Sequence, residues 1–155
     1  YSIEIFNFLR KRDINIKSGI SNKKTQIKMF YRKKINMLNT INKNFAMKNF
    51  KNGFKEKLVN VNTLNYFMEK NFKKPKKIDF LNIDVEGAEM KVLNTLNFEI
   101  YDPSLICVEI LGYREMQSKQ REKEIKNNKI YKFLVNQGYK KVWSGLSYCS
   151  HLFTK

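Results

Sequence analysis

Two apolar runs separated by a single helical stretch constrain this chain more than any other feature. Residues 78–89, IDFLNIDVEGAE, start as an apolar strand and break off into two carboxylates, Asp84 and Glu86, with Gly87 directly behind them. From about residue 86 to residue 96 the spacing becomes helical, placing Ala88, Val92, Leu93 and Leu96 on one face. The turn at 101–104, YDPS, then admits a second apolar run at 105–111, LICVEIL. Strand, helix and strand in that order form a βαβ unit, so the two strands are expected to lie parallel, with a right-handed crossover and both faces covered. An acidic corner at the end of such a strand is where α/β enzymes place ligands.

The flanking segments extend the same architecture. Residues 3–11 carry Ile5, Phe8 and Leu9 at helical spacing and lead into an alternating segment with Ile14, Ile16, Gly19 and Ile20. A turn at 21–24 precedes an alternating strand at 26–31, expected at a sheet edge. Residues 33–55, rich in asparagine, read as a long loop with a helical turn at most. A strand at 57–64 and a short helix at 65–71 follow, and Pro75 in KKPKK stops that helix because it lacks an amide donor. Residues 117–137 read as one charged helix with a stripe of Ile125, Ile130, Phe133 and Leu134, closed by Gly138. Strands at 139–143 and 147–154, joined through Ser144 and Gly145, are too close for a parallel crossover and form an antiparallel hairpin. The expected class is therefore α/β, a mostly parallel sheet ending in an antiparallel pair, built as one domain over residues 1–155.

Charge bears on partners rather than on fold. The formal charge is +17, which raises nucleic acid as a partner. Of the 31 basic residues, however, only Arg10, Arg12, Arg32, Arg114 and Arg121 are arginine, the forked side chain that suits phosphate and base edges. Abundant Lys, Asn and Ile together suggest drift toward A/T-rich codons, so no specific nucleic-acid partner is expected. Cys107 and Cys149 lie far apart in apolar surroundings, with no spacing for zinc, and read as buried thiols of a reducing, cytoplasmic compartment. No run approaches the roughly 18 apolar residues of a membrane span.

Chemistry concentrates in three carboxylates: Asp84 and Glu86 at the corner, and Glu109 inside the second apolar run. Parallel neighbours about 4.8 Å apart send their carboxyl ends to one edge of the sheet, so these side chains can converge. A carboxylate among Ile106, Cys107, Val108, Ile110 and Leu111 needs a cation, a donor or a proton, because a lone buried charge is costly. The structural alternatives are that Asp84 caps the helix, that Glu86 adds charge to its first turn, and that Glu109 is wet or paired with a lysine. His151, the only histidine, reads as a hydrogen-bonded structural group, and Trp143 with Tyr148 and Phe153 as core.

At IDFLNIDVEGAEMKVLNTLNF followed by PSLICVEI, the chain resembles the FkbM-type family of S-adenosylmethionine-dependent methyltransferases. INIKSGISNKKTQIKMFY resembles that family's third strand and the edge hairpin after it, and LVNVNTLNYFMEK its strand and helix before the central motif. The resemblance implies a class I methyltransferase (Rossmann-like) sheet with helices on both faces and a final antiparallel strand inserted between its neighbours. It implies methyl transfer to a hydroxyl of a sugar, glycan, lipid or other small-molecule metabolite. Carried over, Asp84, Val85 and Glu86 would line the pocket near the reacting sulfonium, while Ser18, Gly19 and Ile20 would lie by the adenine. The family's first strand with its Gly-rich loop, and the acidic residue ending its second, would fall upstream of residue 1. By the same resemblance this chain alone is expected to bind the cofactor weakly or not at all, and to be inactive.

For such a reaction a carboxylate can accept the hydroxyl's proton or hold a divalent cation that lowers the hydroxyl's pKa. Asp84 or Glu86 is expected in that role, with Glu109 in support; no metal site is assigned. Two other readings stand beside the enzyme: a basic nucleic-acid-binding module, marked by steep salt dependence, and a non-catalytic methyltransferase fragment.

Overall fold

The computed structural model describes residues 2–32, 39–85, 87–112, 116–145 and 149–155. Its contacts group into two compact units, Tyr1–Thr63 and Leu64–Lys155.

The first unit contains α1 (Ser2–Leu9), β1 (Gly19–Ile20), β2 (Thr25–Tyr31), α2 (Lys43–Asn49) and β3 (Lys55–Asn62). The strands form a sheet in the order β1-β3-β2, with β1 parallel and β2 antiparallel to β3. Residues 25–31 occupy an edge, as their alternation suggests, but they pair with β3 and not with the strand preceding them. Residues 21–24 can span the two strand spacings, about 10 Å, that separate β1 from β2. The expected strand over residues 14–20 contracts to its last two, because β3 meets it only at Val61 and Asn62. Ile14 and Ile16 are left exposed.

Residues 43–49, read from sequence as loop, form a helix. Asn42 starts it by accepting a hydrogen bond from the Phe45 amide at 3.1 Å. Ala46 and Phe50, one turn apart, then bury against Phe30, with the Phe54 ring edge-on to Phe30 at 5.3 Å. Thr40 ties this segment to β2 through paired backbone bonds with Phe30 of 2.7 and 3.0 Å.

The second unit contains α3 (Leu64–Asn71), β4 (Phe80–Ile83), α4 (Glu89–Leu93), α5 (Phe98–Tyr101), β5 (Leu105–Glu109), α6 (Ser118–Asn127), α7 (Lys129–Asn136), β6 (Lys140–Ser144) and β7 (Ser150–Thr154). Its sheet runs β4-β5-β7-β6. β4 and β5 are parallel, as a βαβ unit requires, and β7 lies antiparallel between β5 and β6. Two of the five ladders among the described residues are parallel, so the architecture is a mixed α/β one and not mostly parallel.

Strand alternation sorts the second sheet into two faces. Ile83, Ile106, Val108, His151 and Phe153 are buried on one of them. α7 packs there, with the Tyr131 ring 5.7 Å from that of Phe153. Ile125, Ile130 and Leu134 of the expected stripe are buried, and Phe133 meets Phe98 at 5.6 Å. The opposite face carries Phe80 and Trp143, each about half exposed.

Two helices differ from their sequence-based outlines. The stretch 117–137 breaks at Asn128, whose backbone is extended and whose side chain accepts from the Ile130 amide at 2.8 Å, capping a new helix. Asparagine competes with helical hydrogen bonding in this way, and a periodic apolar stripe cannot reveal it. The helix after the acidic corner begins at Glu89 and not near residue 86, for reasons set by the corner itself.

Candidate active site at the carboxyl edge of the second sheet

β4 and β5 align residue for residue, with Phe80 opposite Leu105, Leu81 opposite Ile106, Asn82 opposite Cys107 and Ile83 opposite Val108. Asp84 and Glu109 each come next in sequence, so the two acidic residues take corresponding positions where the parallel strands end. Asp84 is exposed, whereas Glu109 is half-buried as the last residue of β5. Both follow the pleat onto the face of Asn82 and Cys107. Burial, and after it the nearby Asp84 carboxylate, pushes the Cys107 thiol's pKa up. Ser150 of β7 sits opposite Glu109 on the other side.

The corner after Asp84 is shaped by a residue that the sequence reading did not single out. Glu89 is only 4 % exposed, and its Oε1 accepts hydrogen bonds from the amides of Gly87, at 2.9 Å, and Val85, at 3.4 Å. A first-turn glutamate reaching back to the preceding amides supplies acceptors that a helix start otherwise lacks. Gly87 adopts φ 93°, a left-handed conformation that side-chain-bearing residues rarely take. The helix's N-cap is Ala88, which makes no side-chain cap, so capping by Asp84 is not what this structure shows. The available signal for Glu89 was an acid two residues past a turn glycine, directly before an apolar helical face. Glu86 lies outside the described residues.

Ser18, Gly19 and Ile20 belong to the first unit. Ser18 Oγ donates to the Asn60 carbonyl at 2.9 Å. A Cβ on Gly19 would fall 2.8 Å from Val61 Cγ1, so the absence of a side chain there serves the close approach of β1 to β3. Ser18 also lines a cleft of about 910 Å³, with Arg10, Lys17, Tyr31 and Lys57 on its walls.

His151 is fully buried, with Nδ1 3.0 Å from Ser144 Oγ. That hydroxyl accepts from Lys141 Nζ at 3.0 Å, and Lys141 is paired with Glu122 at 2.7 Å. This chain of polar contacts under the sheet agrees with a structural histidine. The aromatic cluster divides: Phe153 is core, Trp143 is 52 % exposed, and Tyr148 lies outside the described residues. Trp143 is therefore not core, because it shares the pleat of Leu152 and not that of Phe153. Cys107 and Cys149 are half-buried, less enclosed than their apolar neighbours suggested. Among the described residues no three His, Cys, Asp or Glu side chains gather to hold a metal ion, and no helix is long and apolar enough to cross a membrane.

An antiparallel strand inserted between its neighbours at the end of the chain is what the sequence resemblance implied. The model of the methyltransferase FkbM domain matches residues 2–141. The chain belongs to the FkbM methyltransferase family. No curated protein and no solved structure matches it. Within the FkbM match fall Ser18–Ile20, the 84–89 corner and Glu109, while Trp143, Ser144 and all of β7 lie beyond its end.

Proposed function

We propose that this FkbM-family chain takes part in S-adenosylmethionine-dependent methylation of an acceptor hydroxyl, with Asp84 and Glu109 as the groups that handle the acceptor. The observation that supports this reading is the register of β4 and β5, which gives Asp84 and Glu109 corresponding positions at the carboxyl edge of a parallel pair. Such an edge is the ligand-binding position of open α/β sheets.

The residues suit the cofactor in their chemistry. S-adenosylmethionine supplies a methyl group carried on a cationic sulfonium, and an exposed carboxylate such as Asp84 is a favourable neighbour for that cation. Asp84 would hold the sulfonium side. The Ser18 hydroxyl already donates to Asn60, so toward a ligand it acts as an acceptor. The Val85 amide is directed at Glu89, so Val85 contributes its side chain and its position in the corner.

The chain's own part in the reaction is orientation and proton handling. An acceptor hydroxyl that hydrogen-bonds to Asp84 is oriented, and its proton has a base to receive it as the oxygen becomes nucleophilic. Because Asp84 is exposed, that proton passes on to solvent. Glu109, half-buried and facing Ser150 across the ladder, fixes a second polar group of the acceptor. The acceptor is a sugar, glycan, lipid or other hydroxyl-bearing metabolite.

The test is transfer of labelled methyl from S-adenosylmethionine to extracted acceptor fractions by the full-length protein. Asp84→Asn keeps shape and removes the base, and is expected to lower transfer by about 10²–10⁴-fold. Parent-level transfer by Asp84→Asn sinks the assignment.

A further inference from the structure

We propose that the lysine-rich loop at 73–77, with the exposed apolar residues Phe80 and Ile100 beside it, seats this protein on an anionic lipid surface. The loop joins α3 to β4 and enters the second unit's sheet at its amino edge, the edge opposite Asp84 and Glu109. Lysine and arginine make up 31 of the 155 residues, about one in five, whereas Lys70, Lys73, Lys74, Lys76 and Lys77 are five of eight consecutive residues with no acid among them. A drift that spreads lysine over a whole surface does not concentrate it in this way. All five are exposed. Lys77 is paired with Asp102 at 2.8 Å, and Lys70 lies 5.8 Å from the centre of the Tyr66 ring. Among the described residues Lys73, Lys74 and Lys76 make no ion pair. The strand register carries the charge along the same edge: Phe80, Leu105, Thr154 and Lys140 stand in one row across the sheet, and Lys155 follows Thr154. Glu69, Asp79 and Glu99 border the patch, and Asp102 is taken up by Lys77 and Lys155.

Two features favour a bilayer over a nucleic acid. The run from Lys70 to Lys77 holds no arginine, the side chain whose fork suits phosphate and base edges. Lysine acts as a point charge and suits the diffuse negative potential of anionic headgroups, where each lysine near the surface contributes about fivefold in affinity. Apolar side chains also stand beside the charge, Phe80 at 54 % and Ile100 at 44 % exposure. Phe80 follows Lys77 by three residues. Ile100 is held nearby because the Ile78 amide donates to the Tyr101 carbonyl at 2.9 Å and the Ser104 amide to the Ile78 carbonyl at 2.8 Å. A base could stack on Phe80 but gains little from Ile100, whereas at the headgroup level of a bilayer both bury apolar area. Charge and apolar insertion together are the two signals that a peripheral attachment takes.

The test is flotation of the protein with vesicles of phosphatidylcholine alone, and of phosphatidylcholine mixed with phosphatidylserine at roughly two to one. Binding to the mixture and not to phosphatidylcholine alone is expected, weakening as salt screens the lysines. The double variant Lys73→Gln/Lys74→Gln, at exposed positions outside any ion pair, should bind the mixture about 30-fold more weakly. Phe80→Ser should weaken it about tenfold. Ile100→Ser, on a different element, should act in the same direction, so the apolar part of the inference stays testable if circular dichroism shows that Phe80→Ser is unfolded. Heparin serves as the polyanion that offers charge without an apolar layer, and its binding should fall in the lysine variant but not in the two serine variants. Absence of binding to the mixed vesicles overturns the inference, as does equal binding to phosphatidylcholine alone. Vesicle binding that falls in the lysine variant but is unchanged in both Phe80→Ser and Ile100→Ser makes the patch a general polyanion surface, nucleic acid included, and overturns it as well.

Discussion

Replacing Glu89 tests whether the acidic corner is held in the way the hydrogen bonds describe. In Glu89→Ala the Gly87 amide loses a charge-assisted bond of 2.9 Å, and such bonds contribute about 1.5–3 kcal/mol. The Val85 amide, at 3.4 Å, lies beyond the usual range and adds little. Against this stands the release of a nearly buried carboxylate from its desolvation cost. A net loss of about 2 kcal/mol results, which in a chain of this size is a fall in Tm of about 4–8 °C. Glu89→Gln keeps an oxygen for the Gly87 amide and should lose about half as much. Urea and thermal unfolding followed by circular dichroism give both values. Gly87→Ala strains the same turn at φ 93°, so the double variant should lose less than the two singles added together. If Glu89→Ala unfolds within 0.5 kcal/mol of the parent (about the spread of neutral surface changes), or if Gln is as costly as Ala, the account of the corner is wrong.

Two further predictions concern stability in the second unit. Asp102 has its carboxyl held down to about 2, first by its bond to Lys155 and then by Lys77 at 2.8 Å. A depressed carboxyl contributes stability above its unfolded value, lost as pH falls, so the parent's Tm should drop between about pH 4 and pH 2. Asp102→Asn should flatten that acid flank while tolerating the left-handed φ of 34° at this position. Asn128→Ala removes the cap on α7 and should cost about 1 kcal/mol in chemical unfolding, whereas Asn127→Ala, one residue earlier, should be near neutral.

How far the sequence could be read depended on whether a signal was local. The alternation at 25–31 and the apolar runs at 80–83 and 105–109 are strands because a half-buried or buried strand imposes its own pattern. The βαβ logic correctly made the last two of these neighbours and parallel. Residues 43–49 escaped notice because their helix rests on one asparagine cap and two apolar residues, Ala46 and Phe50, whose partner Phe30 is distant in sequence. The break at Asn128 was hidden because the apolar stripe continues across it. At the site, Asp84 and Glu109 were found as acids ending or interrupting apolar runs, but Glu89 looked like one more solvated helix-start charge until its burial was known.

By itself the sequence determined that this chain builds a strand-turn-helix corner carrying acids, that a second acid-bearing strand follows it in parallel, and that the pattern is that of the FkbM family. Those properties come from side-chain periodicity and from chain connectivity, both of which are written residue by residue. Only the tertiary structure decided that Ile83 aligns with Val108, and hence that Asp84 and Glu109 are level. It alone decided that β6 pairs with β7 through a shifted register, which leaves Trp143 half exposed while Phe153 is wholly buried. Register and facing are set by which strands meet and where a ladder slips, and a change of one residue moves a side chain to the opposite face.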